Sequence, residues 1–177
     1  PKAWRCANAQ GKSMGLTPSN QGVIKLFNAG LDDYSIYAVD LPGHGKSDGE
    51  SKSSIDAYSI DIIDFLDVMG LENVCLVGHS MGAAIALNAS LSQHWRIRSI
   101  AAIGGASKMI VNDNILEGLQ NTFEATVDNI VKYSWHKQTG AIANSQQMAK
   151  YFREKAKQRL LNAGSRTVHG DFLACSR

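Results

Sequence analysis

The sequence predicts an α/β domain built on a mostly parallel sheet with flanking helices. Between residues 35 and 105, short apolar strands alternate with segments of helical periodicity, an order typical of a parallel sheet. The chain has 177 residues, of which 44% are hydrophobic and 19% are charged. This composition suits one domain with a sizeable core, and it excludes a disordered, collagen-like or coiled-coil protein.

The N-terminal segment carries few structural signals. Residues 1–22 are rich in Gly, Ser, Asn, Gln and Lys without a sustained period, so we predict that they are irregular. Residues 23–30 fit either a short helix or a buried strand. Residues 35–40 are β-branched and aromatic and predict the first clear strand, which ends before Pro42.

An amphipathic helix and a strand–turn–helix unit follow. Six apolar residues recur at three- and four-residue steps before Gly70, and Ser53 with Asp56 predicts a capping box at the start of this helix. Residues 73–77 predict a buried strand, and the Ala-rich residues 81–93 predict a helix that packs closely on the sheet. The six apolar residues are Ile55, Tyr58, Ile62, Phe65, Leu66 and Met69.

After one more strand the pattern becomes helical. Residues 98–104 predict that strand, which completes the alternating region. Residues 114–133 and 145–163 then show helical periodicity, which predicts an all-helical insertion after the sheet.

Charge and cysteine usage narrow the classes of function. Lys and Arg number 18 against 16 Asp and Glu, and a net charge of +2 is far from the balance typical of nucleic-acid-binding proteins. The three cysteines, Cys6, Cys75 and Cys175, form no C-x-x-C pair and indicate neither a zinc site nor a disulfide framework. Apolar runs are short, and the start of the sequence does not resemble a leader. We therefore expect a cytoplasmic protein with no metal, no membrane span and no nucleic-acid partner.

Residues 78–82, Gly-His-Ser-Met-Gly, fit the G-x-S-x-G pattern of a nucleophile elbow. A serine hydroxyl is a useful nucleophile only when it is held clear of its neighbours, beside a base and an oxyanion site. The elbow does this with a strained turn, which needs small residues at Gly78 and Gly82 so that strand and helix can approach each other. Ser80 is thus the candidate nucleophile, and the backbone N–H of Met81 is the candidate oxyanion donor. The alternative is a glycine-bounded turn whose serine only caps the helix.

Two motifs together resemble the α/β-hydrolase superfamily, in particular its lid-bearing esterase and lipase-like members. Residues 37–47, Tyr-Ala-Val-Asp-Leu-Pro-Gly-His-Gly-Lys-Ser, are similar to the family's D-x-P-G-x-G-x-S turn, and residues 77–83 are similar to its elbow. The resemblance implies that Ser80 is the nucleophile, that no cofactor is used, and that the turn containing His44 is structural. The organisation that it implies is a core over residues 1–113, a helical cap over residues 114–165 and a return towards the core over residues 166–177.

Two features of the family have no counterpart in this sequence. Family members carry an H-G loop that donates the second oxyanion N–H, and no such loop precedes residue 35. The family's triad continues after the serine with an acid and then a histidine, and we find no match to that later segment. Asp113 as acid and His169 as base follow Ser80 in the required order, but a helix cap and an ordinary loop histidine are the alternative interpretation. The other histidines considered for the base are His94 and His136.

These observations lead to one hypothesis about function and one alternative. We expect a carboxylesterase-like serine hydrolase that cleaves a small-molecule ester through an acyl-enzyme on Ser80, and we expect the sequence to cover part of a longer, working enzyme. The alternative is a catalytically inactive fragment, or a ligand-binding or interaction module of the same fold. Lactonase, C–C hydrolase, perhydrolase and acyltransferase chemistry use the same serine machinery, so the fold does not fix the substrate. The sequence leaves the oligomeric state open.

Overall fold

In the computed structural model, the described residues form one five-stranded sheet packed against helices. These residues are 6–9, 12–16, 35–92, 95–106, 109–134 and 146–176. The strands are β1 (Cys6–Ala9), β2 (Lys12–Leu16), β3 (Ser35–Val39), β4 (Val74–His79) and β5 (Ile97–Ile103). The helices are α1 (Ile55–Val68), α2 (Met81–Ser92), α3 (Asp113–Asn121), α4 (Phe123–Tyr133), α5 (Gln146–Ala163) and α6 (Ser165–Ser176).

The sheet has the strand order β1-β3-β2-β4-β5. β1 runs antiparallel to β3, and the other three pairings are parallel, so the predicted mostly parallel sheet is confirmed. Helix α1 connects β3 to β4, and helix α2 connects β4 to β5. The carboxyl ends of β3, β4 and β5 therefore lie at one edge of the sheet, which is where open α/β folds place their binding sites.

The prediction that residues 1–22 are irregular is wrong for β1 and β2. β2 reads Lys-Ser-Met-Gly-Leu, without the apolar alternation or the β-branched residues that identify a strand. It is a strand because it lies between β3 and β4, where its backbone pairs on both sides, Met14 with Tyr37 and with Leu76. Long-range pairing thus overrides a weak local preference. Residues 17–34, which include the ambiguous segment 23–30, lie outside the described part of the chain.

Helix α1 is present as predicted, but it begins one residue later. Ser54, and not Ser53, is the N-cap, and its Oγ accepts a hydrogen bond of 3.2 Å from the Ala57 N–H. Gly70, which follows the C-cap, has a φ of +59° that favours glycine. The most deeply buried apolar side chains of α1 are Tyr58, Ile62, Phe65 and Leu66.

The core lies between α1, α2 and the sheet. In α2 every residue from Gly82 to Ala86 is buried, and all of them except Ile85 are small. Small side chains allow this helix to approach β4 and α1 closely, as the sequence predicts. The fully buried side chains that these two helices and the sheet contribute to the core include Val39, Phe65, Leu66, Leu76 and Ile85.

The helical region after β5 is divided more finely than predicted. The segment predicted as one helix over residues 114–133 breaks at Thr122, whose backbone leaves the helical region at φ −139° and ψ 54°. The break brings α3 and α4 close together, because a Cβ on Gly118 would lie 2.4 Å from Thr126 Oγ1. Four helices therefore occupy the described residues from Asp113 to Ser176.

Residues 166–177, predicted only as a return towards the core, contain most of helix α6. Gly164, with a φ of +83°, separates α6 from α5. Gly170 weakens the local helical signal, yet it is buried, and a Cβ there would lie 2.8 Å from Ser51 Oγ and 3.1 Å from the Lys52 carbonyl oxygen. Gly170 thus makes the helix hard to predict from the sequence, and it also lets α6 approach the loop before α1. Ala174, one turn later, joins the core.

Two further observations concern the described residues alone. None of their helices combines the length and the apolar character that a membrane crossing needs. No group of three or more His, Cys, Asp or Glu side chains among them is placed to hold a metal ion.

Candidate active site

Ser80 occupies a left-handed turn between β4 and α2. Its φ is 53°, and in the described residues only Asn73 shares a positive φ among non-glycine residues. The Ser80 N–H donates to the Ile103 carbonyl at 2.9 Å, and the Ser80 carbonyl accepts from the Ala83 N–H at 2.9 Å. This backbone is strained by about 1 kcal/mol for a residue with a Cβ, so the surrounding hydrogen bonds and packing hold it in place. The Ser80 side chain is exposed at the carboxyl edge of the sheet.

Glycines create the space for this turn, as the pattern predicts. A Cβ on Gly78 would lie 2.0 Å from the Gly82 carbonyl oxygen, far inside van der Waals contact. A Cβ on Gly105, in the loop after β5, would lie 2.7 Å from the Ser80 carbonyl oxygen and 2.5 Å from Ala83 Cβ. The strand, the helix and the neighbouring loop therefore meet at distances that only glycine allows.

The first turn of α2 lies directly beside Ser80. Met81 is the first residue of the helix. Backbone N–H groups in a first helical turn lack intrahelical acceptors and carry the positive end of the helix dipole, so this end favours a negative oxygen. His79, on the other side of Ser80, is exposed, and its Nε2 lies 3.4 Å from the position a Cβ on Gly104 would take.

The D-x-P-G-x-G-x-S segment forms a tight turn after β3. Gly43 and Gly45 have φ values of 77° and 54°, as predicted for this turn. Asp40 Oδ2 accepts a hydrogen bond of 3.1 Å from the Lys46 N–H, and the Ser47 hydroxyl donates to the Asp40 carbonyl at 2.7 Å. The turn is thus closed by its own side chains.

His44, within this turn, points into the protein and contacts helix α6. It is 4% exposed, its Nδ1 lies 3.1 Å from the Pro42 carbonyl oxygen, and its Nε2 lies 2.7 Å from Asp171 Oδ2. Both ring nitrogens are engaged, so this buried ring is not placed to accept a proton from Ser80. The family resemblance implied a structural role for the turn of His44, but the sequence did not reveal Asp171 as its partner or the hydrogen bond of 2.5 Å that the Tyr58 hydroxyl donates to Asp171 Oδ1. Asp171 is 127 residues from His44 and 113 residues from Tyr58 in the sequence, so no local spacing reveals these pairs.

Asp113 and His169 are not joined to Ser80 by any hydrogen bond or ion pair within the described residues. Asp113 is the exposed first residue of α3, and the cap of that helix is Asn112, whose Oδ1 accepts from the Asn114 N–H at 2.9 Å. His169 is half-buried on α6, so it is a helical residue and not a loop histidine. The acid and base roles of this pair stay predictions. His94 and His136 lie outside the described residues.

Comparison with known proteins decides the family. The family described as alpha/beta hydrolase fold matches residues 15–175, which is most of the chain. The chain belongs to the α/β-hydrolase fold family.

Similar proteins match this α/β-hydrolase over different extents. It is 34% identical over 73 residues to the dihydrolipoyllysine-residue acetyltransferase component of the acetoin cleaving system of Cupriavidus necator, covering 41% of this chain and 20% of that protein. It is 31% identical over 80 residues to 3-oxoadipate enol-lactonase 1 of Acinetobacter baylyi, covering 45% of this chain and 30% of that protein. The matches thus span less than a third of the length of either relative. An esterase structure from Exiguobacterium antarcticum superposes with a TM-score of 0.76 at 17% identity, covering 98% of this chain and 69% of that one, which shows the shared fold.

The strain at Ser80 predicts an unusual order of stabilities for this α/β-hydrolase. Ser80→Gly is expected to be more stable than Ser80→Ala by about 1 kcal/mol, because glycine adopts positive φ without the steric cost of a Cβ. Ser90, inside α2, provides the matched control. Ser90→Gly should be less stable than Ser90→Ala, because glycine in a helix costs about 0.5–1 kcal/mol relative to alanine. Urea unfolding of the four variants measures both differences. Equal stabilities of the two Ser80 variants would contradict a left-handed backbone there.

Proposed function

We propose that the protein is a carboxylesterase-like serine hydrolase in which Ser80 attacks the ester carbonyl and forms an acyl-enzyme. The observation that carries this proposal is the left-handed, exposed Ser80 at the carboxyl end of β4. That conformation holds the hydroxyl clear of the strand and next to the start of α2, as nucleophilic attack requires.

The alternative interpretation, a serine that only caps its helix, fits the backbone less well. A residue that acts as an N-cap has an extended backbone, and its side chain accepts a hydrogen bond from the following turn. Ser54 and Asn112 follow this rule, with φ −151° and ψ 149° and with φ −70° and ψ 135°. Ser80 has a φ of 53° instead, which favours the elbow interpretation.

The proposed chemistry assigns each step to an atom. Ser80 Oγ bonds to the carbonyl carbon, the carbonyl π electrons move to oxygen, and the Met81 N–H donates to that oxyanion. Collapse of the intermediate expels the alcohol, which takes the proton that a base removed from Ser80. Water then hydrolyses the acyl group by the same route. His169 and Asp113 are the candidates for base and acid within this chain, and the proposal rests on the elbow and not on them.

We extend the proposal to the surroundings of the serine. Residues 1–113 would form the core, residues 114–165 a helical cap over the acyl pocket, and residues 166–177 the return towards the core. α3 is the next element after β5, whose carboxyl end lies at the edge that carries Ser80, and this order supports a cap there. The small-molecule ester is supported by the names of two of the similar proteins, an enol-lactonase and an esterase.

A fluorophosphonate probe tests the proposed nucleophile. We expect one adduct, mapped to the peptide that contains Ser80 and absent from Ser80→Ala. Ser90→Ala, on the same helix, is the matched control and should label like the parent protein. A parent protein without an adduct, or an adduct that persists in Ser80→Ala, would reject Ser80 as nucleophile and favour a ligand-binding module of this fold. Labelling of His169→Ala at the parent rate would exclude His169 as the base.

A further inference from the structure

A buried polar cluster joins helix α6 to the core. The cluster consists of Asp171 on α6, His44 in the turn after β3 and Tyr58 on α1, and we call it the clasp. Asp171 accepts from His44 Nε2 at 2.7 Å on one carboxylate oxygen and from the Tyr58 hydroxyl at 2.5 Å on the other. The side chains of His44 and Asp171 are only 3% and 18% exposed. Three separate segments of the chain therefore meet at one shielded carboxylate.

The partners of His44 fix the number of protons on its ring. Nδ1 faces the Pro42 carbonyl oxygen at 3.1 Å, and Nε2 faces the Asp171 carboxylate. Both partners are acceptors. A neutral imidazole has one N–H and can satisfy only one of them, whereas an imidazolium donates to both. The geometry therefore favours a doubly protonated His44.

The electrostatic surroundings agree with this protonation state. Burial is the largest single effect on His44 and by itself lowers its pKa, because it disfavours the charged ring. The hydrogen bond and the negative charge of Asp171, assisted by Pro42 and Asp40, outweigh burial and raise the pKa of His44 above its ordinary value of 6.5. Burial and the charge of Asp171 also raise the pKa of Tyr58, which keeps the phenol a donor.

Other titratable groups around the clasp do not oppose the charge on His44. The Lys52 ammonium, in the loop before α1, pairs with the buried carboxylate of Asp61 at 3.6 Å. On α6, burial and then Asp171 raise the pKa of the Cys175 thiol to about 11, so it stays neutral. Arg166 pairs with Glu50 at 2.8 Å, where both side chains are exposed to solvent.

Besides the clasp, helix α6 is held by a hydrogen bond of 2.7 Å from the Ser165 hydroxyl to the Leu119 carbonyl and by its own buried residues. Its buried residues are Val168, Gly170 and Ala174, all small or medium in size. Gly170 lies against Ser51 and Lys52 without a side chain of its own. Phe172 and Leu173 are half-buried as well, so apolar burial and the clasp together hold α6 on the core.

We propose that the clasp is a pH-sensitive latch, closed by the imidazolium of His44 and opened when that ring loses one proton. The neutral ring leaves either the Pro42 carbonyl or the Asp171 carboxylate without its donor. Because the pKa of His44 is raised in the fold, the contribution of the clasp is complete below pH 6.5 and is lost as the pH rises through the folded value. This inference concerns the docking of α6 and does not depend on hydrolysis by Ser80.

Nitrogen NMR of the imidazole rings tests the protonation state directly. His44 is assigned by the resonance that His44→Gln removes. At pH 6.5 we expect more than half of His44 to be doubly protonated, with a midpoint above that pH. A His44 that is mostly a single neutral tautomer at pH 6.5 would overturn the proposal, whatever the variants do.

Hydrogen exchange tests the opening of the latch. Between pH 6 and 9, after correction for intrinsic rates, the protection of peptides covering residues 165–176 should fall by up to about tenfold per pH unit across the His44 titration. Peptides from β4 should keep their protection, which separates local release from global unfolding.

Two variants identify the side chains responsible for that step. Asp171→Asn should lower the protection of α6 already at pH 6 and abolish the pH step. Arg166→Gln removes the exposed ion pair between α6 and Glu50, in the loop before α1. This variant should keep the pH-dependent fall in the protection of α6. Constant protection of α6 in the parent protein, or a step that persists in Asp171→Asn, would overturn the latch. If Asp171→Asn does not fold, the parent protein still decides through the coincidence of the two midpoints.

Discussion

Gly78→Ala is expected to leave the protein without its native fold. The added Cβ would lie 2.0 Å from the carbonyl oxygen of Gly82 and 2.6 Å from the backbone nitrogen of Ala83. Both are backbone atoms in the first turn of α2, so no change of rotamer relieves the overlap. Relief requires α2 to move away from β4, and α2 is buried from Gly82 to Ala86. Overpacking of a core costs about 1–3 kcal/mol and more where the backbone must shift, a large part of a total stability of about 5–15 kcal/mol.

Gly70→Ala is the matched control for this experiment. Gly70 has a φ of +59°, and a Cβ there would meet nothing within 4 Å. Alanine at this position adds conformational strain of about 1 kcal/mol but no collision. Circular dichroism and urea unfolding should therefore show a folded, slightly weakened Gly70→Ala beside an unfolded or severely destabilised Gly78→Ala. Two variants of equal stability would mean that β4 and α2 are not held as closely as the distances require.

The elements that sequence reasoning predicted are those whose signal is local. The strand at Val74–His79, the Ala-rich helix after it and the strained turn between them are all encoded within residues 74–92. β2 could not be predicted, because Lys-Ser-Met-Gly-Leu becomes a strand only through its two neighbours in the sheet. A central strand gains its hydrogen bonds from partners that are distant in sequence, and no periodicity within it records them.

The same distinction applies to the site. Gly43 and Gly45 predict a turn with positive φ, and both residues have positive φ in the structure. The clasp, in contrast, joins side chains more than a hundred residues apart, so the sequence shows His44 but not its partner. A histidine beside a carboxylate in an α/β-hydrolase invites a catalytic interpretation. Burial and the two engaged nitrogens of His44 decide against it here, and neither property can be read from residue order.

Ser80→Ala is expected to abolish hydrolysis of p-nitrophenyl esters of short acyl chains, if the proposed function is correct. Alanine keeps the Cβ and adopts the same strained backbone, so only the nucleophilic oxygen is lost. Removal of the nucleophile of a serine hydrolase lowers kcat by a factor on the order of 10⁶, so only the small residual rate that the oxyanion site and substrate binding supply should remain. Ser90→Ala controls for the loss of a hydroxyl from the same helix and should keep the parent rate.

Pre-steady-state kinetics of the parent protein separate the acyl-enzyme from other routes to the same product. Attack by Ser80 releases the first p-nitrophenol before water enters, so a burst of one equivalent per active site is expected whenever deacylation is slower than acylation. Hydrolysis by a bound water would release p-nitrophenol without a covalent intermediate, and would survive in Ser80→Ala. A Ser80→Ala protein that is folded and still active would therefore reject the acyl-enzyme while leaving the elbow geometry intact. The elbow would then be a structural device in this chain, because the turn is held by Gly78, Gly105 and the Ile103 carbonyl and not by the serine hydroxyl.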